Sequence, residues 1–454
     1  MTRTVAIHSL GCKVNSYEAE SMEQLLKHAG YDIVPFDENV PADVYIINTC
    51  SVTNIADRKS SQMLHRAKKM NPDAVVVAAG CYVNADARKA AADSAVDIVL
   101  GNNCKINIVE ALDAYYRDNK VNSMLADLGK SQGYEALKLD EVDTHTRAYI
   151  KIQDGCNQFC SYCIIPYTRG RIRSRGIEDI VDEVSRLVNK GSKEVVLTGI
   201  HLSSYGADSG EGSLLDVIMR LDKIEGLERI RLGSLEPRII TEEFAETIAS
   251  SRKVCPHFHL SLQSGCDSVL KRMNRKYNTQ EYIEKCELLR KYFDNPAITT
   301  DVIVGFPQET EEEFKITRDF LERVHFYEMH IFKYSRRKGT VADKMEGQVD
   351  ESVKSRRSSE LLKLESDMSR AYRTLFAGSR ADVLIEEIEN IDGKPYFMGF
   401  TPNYIRVRIP CEEAEVYAKQ GTSDDFQGYV NTIVNVTLTG LTDNGIVMQG
   451  TVRN

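Results

Sequence analysis

The chain has 454 residues, 42% of them hydrophobic and 28% charged, with a net charge of −9 and eleven cysteines. That length predicts several domains around large cores and excludes a small disulfide-stapled scaffold. No run of about 18 apolar residues and no cleavable leader pattern stands out, so a cytoplasmic protein with no membrane segment is expected, and the acidic balance leaves only local basic patches for any RNA contact.

Residues 1–118 alternate strand and helix signals. Short runs rich in Val, Ile and Ala at 4–10, 43–48, 74–79 and 96–100 have the continuous apolar character of buried parallel strands. Helical patterns at 16–29, 54–69 and 85–92 lie between them. The alternation predicts an α/β fold that opens with a doubly wound parallel sheet. Such strands place their C-terminal ends on one edge, where ligands bind. Cys12, Cys50 and Cys81 follow three of those ends, so residues tens of positions apart are expected to converge into a three-thiolate site. For any one of them, a small buried residue at a strand end is the plainer account. Cys104, farther past its strand, is expected to stand apart. Residues 119–145 lack clean periodicity and read as a linker.

From 146 to 375 the alternation resumes. Strands are expected at 148–153, 193–198, 229–233, 257–262, 297–304 and 325–332, and helices at 178–189, 214–223, 242–250, 281–292 and 311–324. Six such units predict a partial (β/α)6 barrel with its chemistry at the C-terminal ends of the strands. Directly past the first strand, Cys156, Cys160 and Cys163 form a CxxxCxxC triplet. Soft thiolates at that spacing favour zinc or an iron–sulfur cluster. No fourth ligand follows nearby to close a zinc site, whereas a cubane on three thiolates leaves one iron open to an exogenous ligand. A zinc knuckle completed from a distance and three unligated thiols are the alternatives.

Arg169, Arg171, Arg173 and Arg175 recur every second residue. An extended segment would present them as one guanidinium stripe, suited either to phosphate or to carboxylates of the barrel. Arg272, Arg275 and Lys276 form a weaker patch. His257 and His259 share a strand face and are expected to be structural or pocket-lining. Cys255, Cys266 and Cys286 are expected to be packing residues or surface thiols. A charged helical stretch at 350–376 leads out of the barrel. Beyond it the period becomes two, with strands expected at 381–388, 396–401, 404–409, 431–438 and 445–451. They predict a small antiparallel β-barrel over 376–454, a kind that commonly binds RNA. Tyr396, Phe400 and Tyr404 there are either base-stacking residues or core, with Arg406 and Arg408 beside them.

The triplet, with Tyr162 before its last cysteine, resembles the radical S-adenosylmethionine (SAM) enzymes. The continuation from Ile164 through Arg175 narrows the resemblance to the methylthiotransferases. It implies an auxiliary 4Fe–4S cluster on Cys12, Cys50 and Cys81, a second 4Fe–4S cluster on Cys156, Cys160 and Cys163, and a C-terminal TRAM-like RNA-binding domain. It implies SAM contacts from Tyr162, Thr198, Gly199, Ser234, Glu236, Gln263 and Val304, with no catalytic residue assigned beyond the clusters. Residues 301–310 resemble the family's DVIVGFPGET with Gln308 in place of glycine, which implies that the adenine contact is kept and leaves the geometry of the turn after Pro307 open. Gly11-Cys12-Lys13-Val14-Asn15 and Asn48-Thr49-Cys50-Ser51-Val52-Thr53-Asn54 resemble the branch that acts on threonylcarbamoyladenosine, where the isopentenyladenosine enzymes typically read GCQMN and the ribosomal-protein enzymes GCPKN. The resemblance thus implies methylthio transfer to C2 of threonylcarbamoyladenosine next to the tRNA anticodon. Its implied partners are the anticodon loop, SAM and an electron donor such as a flavodoxin or ferredoxin. RNA contacts are expected from Arg169, Arg171, Arg173, Arg175, Arg275 and Tyr404. The rival readings are a methylthiotransferase for isopentenyladenosine tRNA or a ribosomal-protein aspartate, and a non-enzymatic iron–sulfur RNA-binding redox sensor.

Overall fold

The computed structural model describes residues 2–118, 122–128, 133–142, 146–414, 426–442 and 445–452. The chain begins with six strands: β1 (Thr4–Ser9), β2 (Asp32–Ile33), β3 (Val44–Thr49), β4 (Val75–Gly80), β5 (Ile98–Leu100) and β6 (Asn122–Met124). They form one parallel sheet in the order β2-β1-β3-β4-β5-β6. Every residue of β3 and β4 is buried, because helices cover both faces of a sheet of this type. Val44, Ile46 and Val77 pack with Met22 and Leu26 on one side, and Tyr45, Ile47 and Val76 pack with Leu64 and Ala67 on the other. Met22 and Leu26 belong to α1 (Lys13–His28), and Leu64 and Ala67 to α2 (Asn54–Met70).

Two differences from expectation have local causes. The helix expected over 85–92 is two helices, α3 (Cys81–Ala85) and α4 (Ala87–Ala91), split at Asp86, whose carboxylate caps the second by accepting from Lys89 N–H at 3.1 Å. The stretch read as a linker contributes β6 and then packs on the barrel. Leu137 and Leu139 are fully buried in its core, and Leu137 C=O accepts from Tyr17 Oη–H at 2.7 Å. Residues 119–121, 129–132 and 143–145 of that stretch lie outside the described residues.

The barrel strands are β7 (Arg147–Asp154), β9 (Glu194–Gly199), β10 (Arg229–Leu232), β11 (His257–His259), β12 (Ala297–Val304) and β13 (Glu328–Lys333), with a short antiparallel β8 (Arg173–Ser174) on the free edge of β7. They run as β8-β7-β9-β10 and β11-β12-β13, joined by a parallel bridge between Leu235 and Leu260. Ile150, Val195, Leu197, Ile230, Phe258 and Val302 face the surrounding helices. Helices Leu214–Leu221, Thr279–Tyr292 and Glu311–Val324 each start with a reciprocal capping box, from Ser213 and Asp216, Asn278 and Glu281, and Thr310 and Glu313, which fixes where the helix begins.

The barrel is open between β7 and β13, and the N-terminal sheet closes that seam. On one side Glu18 of α1 pairs with Lys151 of β7 at 2.7 Å. On the other, Arg337 donates to Asp57, Asn54 and Ser51 at 2.6, 2.9 and 2.8 Å.

Helix Glu351–Thr374 leads to a closed barrel of β14 (Arg380–Ile391), β15 (Lys394–Phe400), β16 (Arg406–Pro410), β17 (Ile433–Leu441) and β18 (Met448–Thr451). Its pairs are antiparallel except β16 with β18, a parallel pair that completes the closure. This barrel seals the end of the central one remote from the cysteine triplet. Arg147, at the start of β7, pairs with Glu386 at 2.7 Å, and Arg229 and Arg231 of β10 donate to the carbonyls of Asp382, Phe400 and Pro402. Tyr404 is part of the seal. Its hydroxyl accepts from Arg147 at 2.7 Å, and its ring stacks on Phe400 and lies against His257. Of the two readings of Tyr404 and Phe400, packing is the one realised, and the expected RNA contact from Tyr404 is corrected. Tyr396 is half-buried under the Arg408 guanidinium. Among the described residues no helix is long and apolar enough to cross a membrane.

Candidate active site: two cysteine triplets and the cavities between them

β1, β3 and β4 are neighbours in the sheet, so Cys12, Cys50 and Cys81 emerge side by side at their C-terminal ends. Close packing there depends on glycine: at Gly11, with φ +102°, a Cβ would lie 2.8 Å from Cys50 Sγ. Asn15 pins the turn by donating to the carbonyls of Leu10 and Thr49 at 2.6 and 3.0 Å. Each sulfur receives an N–H. Cys12 is served by the backbone of Asn15 and Cys50 by that of Val52. Cys81 is served by Arg169 Nε at 3.3 Å and Asn102 Nδ2 at 3.5 Å.

The second triplet hangs from the end of β7. Gly155 sits at φ +70°, and a Cβ there would fall 1.8 Å from Arg171 O, so the loop can cross itself only with glycine. Cys156 N–H donates to Gly170 O at 3.0 Å. The pattern of donors repeats: Cys156 Sγ accepts from Gln158 N–H, Cys163 from the backbone of Ile165, and Cys160 from Arg275 Nη1 at 3.3 Å. Burial pushes the thiols of Cys50 and Cys156 up to about 11 and that of Cys163 to about 12. Binding iron as thiolates therefore means releasing protons. Six sulfurs in two sets of three, each set already furnished with N–H donors, suit two multi-iron clusters with open positions better than closed zinc sites.

Beside the second triplet lies a cavity of ≈ 130 Å3 walled by the three cysteines, Tyr162, His201, Ser234, Glu236, Gln263 and Arg275. Glu236 Oε1 and His201 Nε2 are buried and have no hydrogen-bond partner in the protein. Burial, with Arg275 nearby, lowers His201 to about 4, so its ring is neutral at pH 7, and burial raises Glu236. A pocket offering a carboxyl group and a free imidazole nitrogen fits a ligand rich in N–H and O–H donors, as the amino and hydroxyl groups of SAM are. His201 was missed in the sequence; its position two residues past Thr198-Gly199 was the available signal.

The other expected SAM contacts fare differently. Val304 is buried in the hydrophobic core with its carbonyl taken by Tyr334 N–H at 2.9 Å, which corrects its assignment to the pocket. Thr198 is buried and, like Gly199, lies outside the cavity lining. Gly199 leaves room for Gln153, whose Oε1 accepts from His201 N–H at 2.7 Å. Gln308 takes the left-handed conformation itself, φ +65°, and donates to Gly347 O at 2.7 Å, so the turn survives the loss of glycine.

A second cavity of ≈ 250 Å3 shares Tyr162 and Gln263 with the first. Val52 and Thr53, just after Cys50, come from the N-terminal sheet; Asp301, Ile303, Phe332 and residues 333–335 come from the barrel. Phe332 is 47% exposed and Val52 53%. Asp301 continues into a polar layer in which His259 Nε2 lies 3.3 Å from Asp301, His259 Nδ1 lies 3.0 Å from Thr299 Oγ1, and the His330 ring stacks on His259 at 5.7 Å. His330 was not anticipated, because it lies on another strand.

The arginine stripe does not form. The chain folds into helix Ile165–Arg169 and then β8, so alternate residues do not share an exposed face. Arg169, Arg173 and Arg175 are buried on carboxylates: Arg169 on Glu18 and Asp154, Arg173 on Asp154, and Arg175 on Glu183. Arg275 is held against Cys160 and Ser261 O. These four are corrected as phosphate contacts. Arg171 alone of the stripe is exposed, lying over the Phe159 ring. Burial would raise the Glu18 carboxyl, but Arg169, Lys105 and Lys151 hold it well below the usual carboxylate range.

Residues 150–321 match the radical SAM superfamily and residues 4–101 a family described as Uncharacterized protein family UPF0004. The chain is 41% identical over 406 residues to the threonylcarbamoyladenosine tRNA methylthiotransferase MtaB of Bacillus subtilis, covering 89% of this chain and 90% of that one. It is 38% identical to the MtaB of Aquifex aeolicus, over 89% and 96% of the two chains. It is 34% identical to a tRNA-2-methylthio-N(6)-dimethylallyladenosine synthase of Finegoldia magna, over 91% and 90%. Among solved structures, the radical SAM methyltransferase TsrM of Kitasatospora setae superposes with a TM-score of 0.55 at 14% identity, over 73% of each chain, a likeness of fold. The chain belongs to the radical SAM methylthiotransferase family, in the branch of the threonylcarbamoyladenosine enzymes.

Proposed function

We propose that this protein transfers a methylthio group to C2 of threonylcarbamoyladenosine immediately 3′ of the tRNA anticodon, in the cytoplasm. The relatives named for that reaction match along most of the chain. The observation that carries the reading is the pair of abutting cavities: one is lined by Cys156, Cys160 and Cys163, and the other reaches the loop after Cys50. In this reading Cys156, Cys160 and Cys163 hold one 4Fe–4S cluster and Cys12, Cys50 and Cys81 the other. Bound there, the clusters supply the electron for reductive cleavage of SAM and the sulfur to be transferred, chemistry no side chain can provide.

The chain's own residues do the rest. Glu236 and His201 receive the donors of SAM. Tyr162 and Gln263 form the partition between SAM and the modified base, and Phe332 gives the larger cavity a flat apolar wall for a purine. The seam contacts of Arg337 and Glu18 hold the N-terminal sheet against the barrel and so fix the placement of the two triplets relative to one another. Arg171 is the one arginine of the stripe free to meet RNA phosphate, and a small reduced redox protein such as a flavodoxin or ferredoxin is the electron source.

Nucleoside mass spectrometry on tRNA from a strain lacking this protein tests the reading. Loss of the methylthio form of threonylcarbamoyladenosine, restored by wild type and not by Cys156→Ala, is expected. Loss of the methylthio isopentenyl form instead would reassign the substrate, and unchanged tRNA would overturn the reading.

A further inference from the structure

In each triplet two sulfurs take a backbone N–H and the third takes an arginine: Arg169 on Cys81 and Arg275 on Cys160, both at 3.3 Å. Arg275 also lines the SAM cavity. Arg169 touches neither cavity, is 0% exposed, and cannot swing away. Its remaining N–H groups are held by Asn15 at 2.7 Å, Glu18 at 2.9 and 3.1 Å, and Asp154 at 3.1 Å. It follows Cys163 by six residues in sequence, yet its side chain reaches the sulfur of Cys81 in the other triplet.

The charge around it is unbalanced. Among the described residues, Lys105, Lys151, Arg169 and Arg173 pair directly with two carboxylates, Glu18 and Asp154, in a layer whose side chains are at most 4% exposed. Glu135, the next carboxyl, has its pKa raised by burial and lies near Lys151 and Lys105; even with it counted, the four cations outnumber the three carboxylates. Surplus buried cations are costly unless an anion answers them. A cubane on three thiolates is such an anion, and it gains one further negative charge on taking up an electron. Positive charge and N–H donors at a cluster sulfur favour the more negative, reduced form.

We propose that Arg169, assisted by Asn102, is a positioning residue that raises the reduction potential of the cluster held by Cys12, Cys50 and Cys81. The proposal rests on the two-cluster reading above. Arg169 does so from a position away from both cavities, whereas Arg275, its counterpart on Cys160, also lines the cavity beside the second triplet.

The test is an EPR-monitored redox titration of the anaerobic full-length holoprotein, with SAM added to mark the signal of the cluster it perturbs. Arg169→Gln is expected to shift the reduced-to-oxidised ratio of the other cluster at fixed potential at least tenfold towards oxidised, about 59 mV for one electron. Arg169→Lys and Asn102→Ala are expected to shift it the same way by less, with the SAM-sensitive signal unmoved in all three. Equal midpoints in wild type, Arg169→Lys and Asn102→Ala, each with full iron content, would overturn the proposal; these two milder variants decide the matter if Arg169→Gln does not fold. A wild-type protein holding about four irons instead of about eight would overturn the two-cluster reading itself, a distinct result.

Discussion

Asn15 and Arg169 show what single residues contribute here: neither would ligate iron, yet both place the sulfurs that do in this account. The cysteines were legible because their spacing is local or tied to strand ends. The spacing of the arginines left phosphate and carboxylate partners both open; the stripe needs an extended segment, helix Ile165–Arg169 breaks that condition, and three of the four pair with carboxylates. His201 carries a prediction at this scale. Its ring is held neutral by burial, with a folded pKa of about 4 against 6.5 when exposed. The unfolded chain therefore takes up the proton first, and stability is lost as pH falls from 6.5 towards 4. Replacing it by glutamine removes this liability, so thermal scans should show His201→Gln losing less stability than wild type between pH 7 and pH 5. The full effect is on the order of 3 kcal/mol. Parallel losses in both proteins would contradict a neutral buried ring.

Whole elements were legible in proportion to their length. The Val- and Ile-rich strands of the first sheet and the five barrel helices fell within a few residues of expectation, because burial on both faces and the 3.6-residue period are strong signals. β2, β6 and β8 have two or three residues each, too few for any period, and exist because a neighbouring strand offers its edge. The loop after β7 is the element most exposed to a single change. Gly155→Ala adds a methyl where Arg171 O already sits, at a φ that alanine disfavours. The expected outcome is loss of about half the iron, with far-UV circular dichroism unchanged. Retention of all the iron would show that the crossing of the loop is not needed to shape the second triplet.

At the scale of the molecule, three domains read from the sequence turn out to be one enclosure. The N-terminal sheet shuts the barrel's seam and the C-terminal barrel shuts its far end. Neither docking was legible. It depends on pairs such as Arg337 with Asp57 and Arg147 with Glu386, hundreds of residues apart, and a charge in a sequence does not announce its partner. The same docking turned Tyr404 from an expected RNA contact into a seal. The central claim is that the two triplets are separate sites with separate tasks across a shared partition. It is tested most directly by replacing Cys12, Cys50 and Cys81 together with alanine and following both SAM products and tRNA in one reaction. The account predicts that this protein still cleaves SAM to 5′-deoxyadenosine and makes no methylthio nucleoside, whereas replacing Cys156, Cys160 and Cys163 abolishes both. Methylthio nucleoside from the first variant would contradict it.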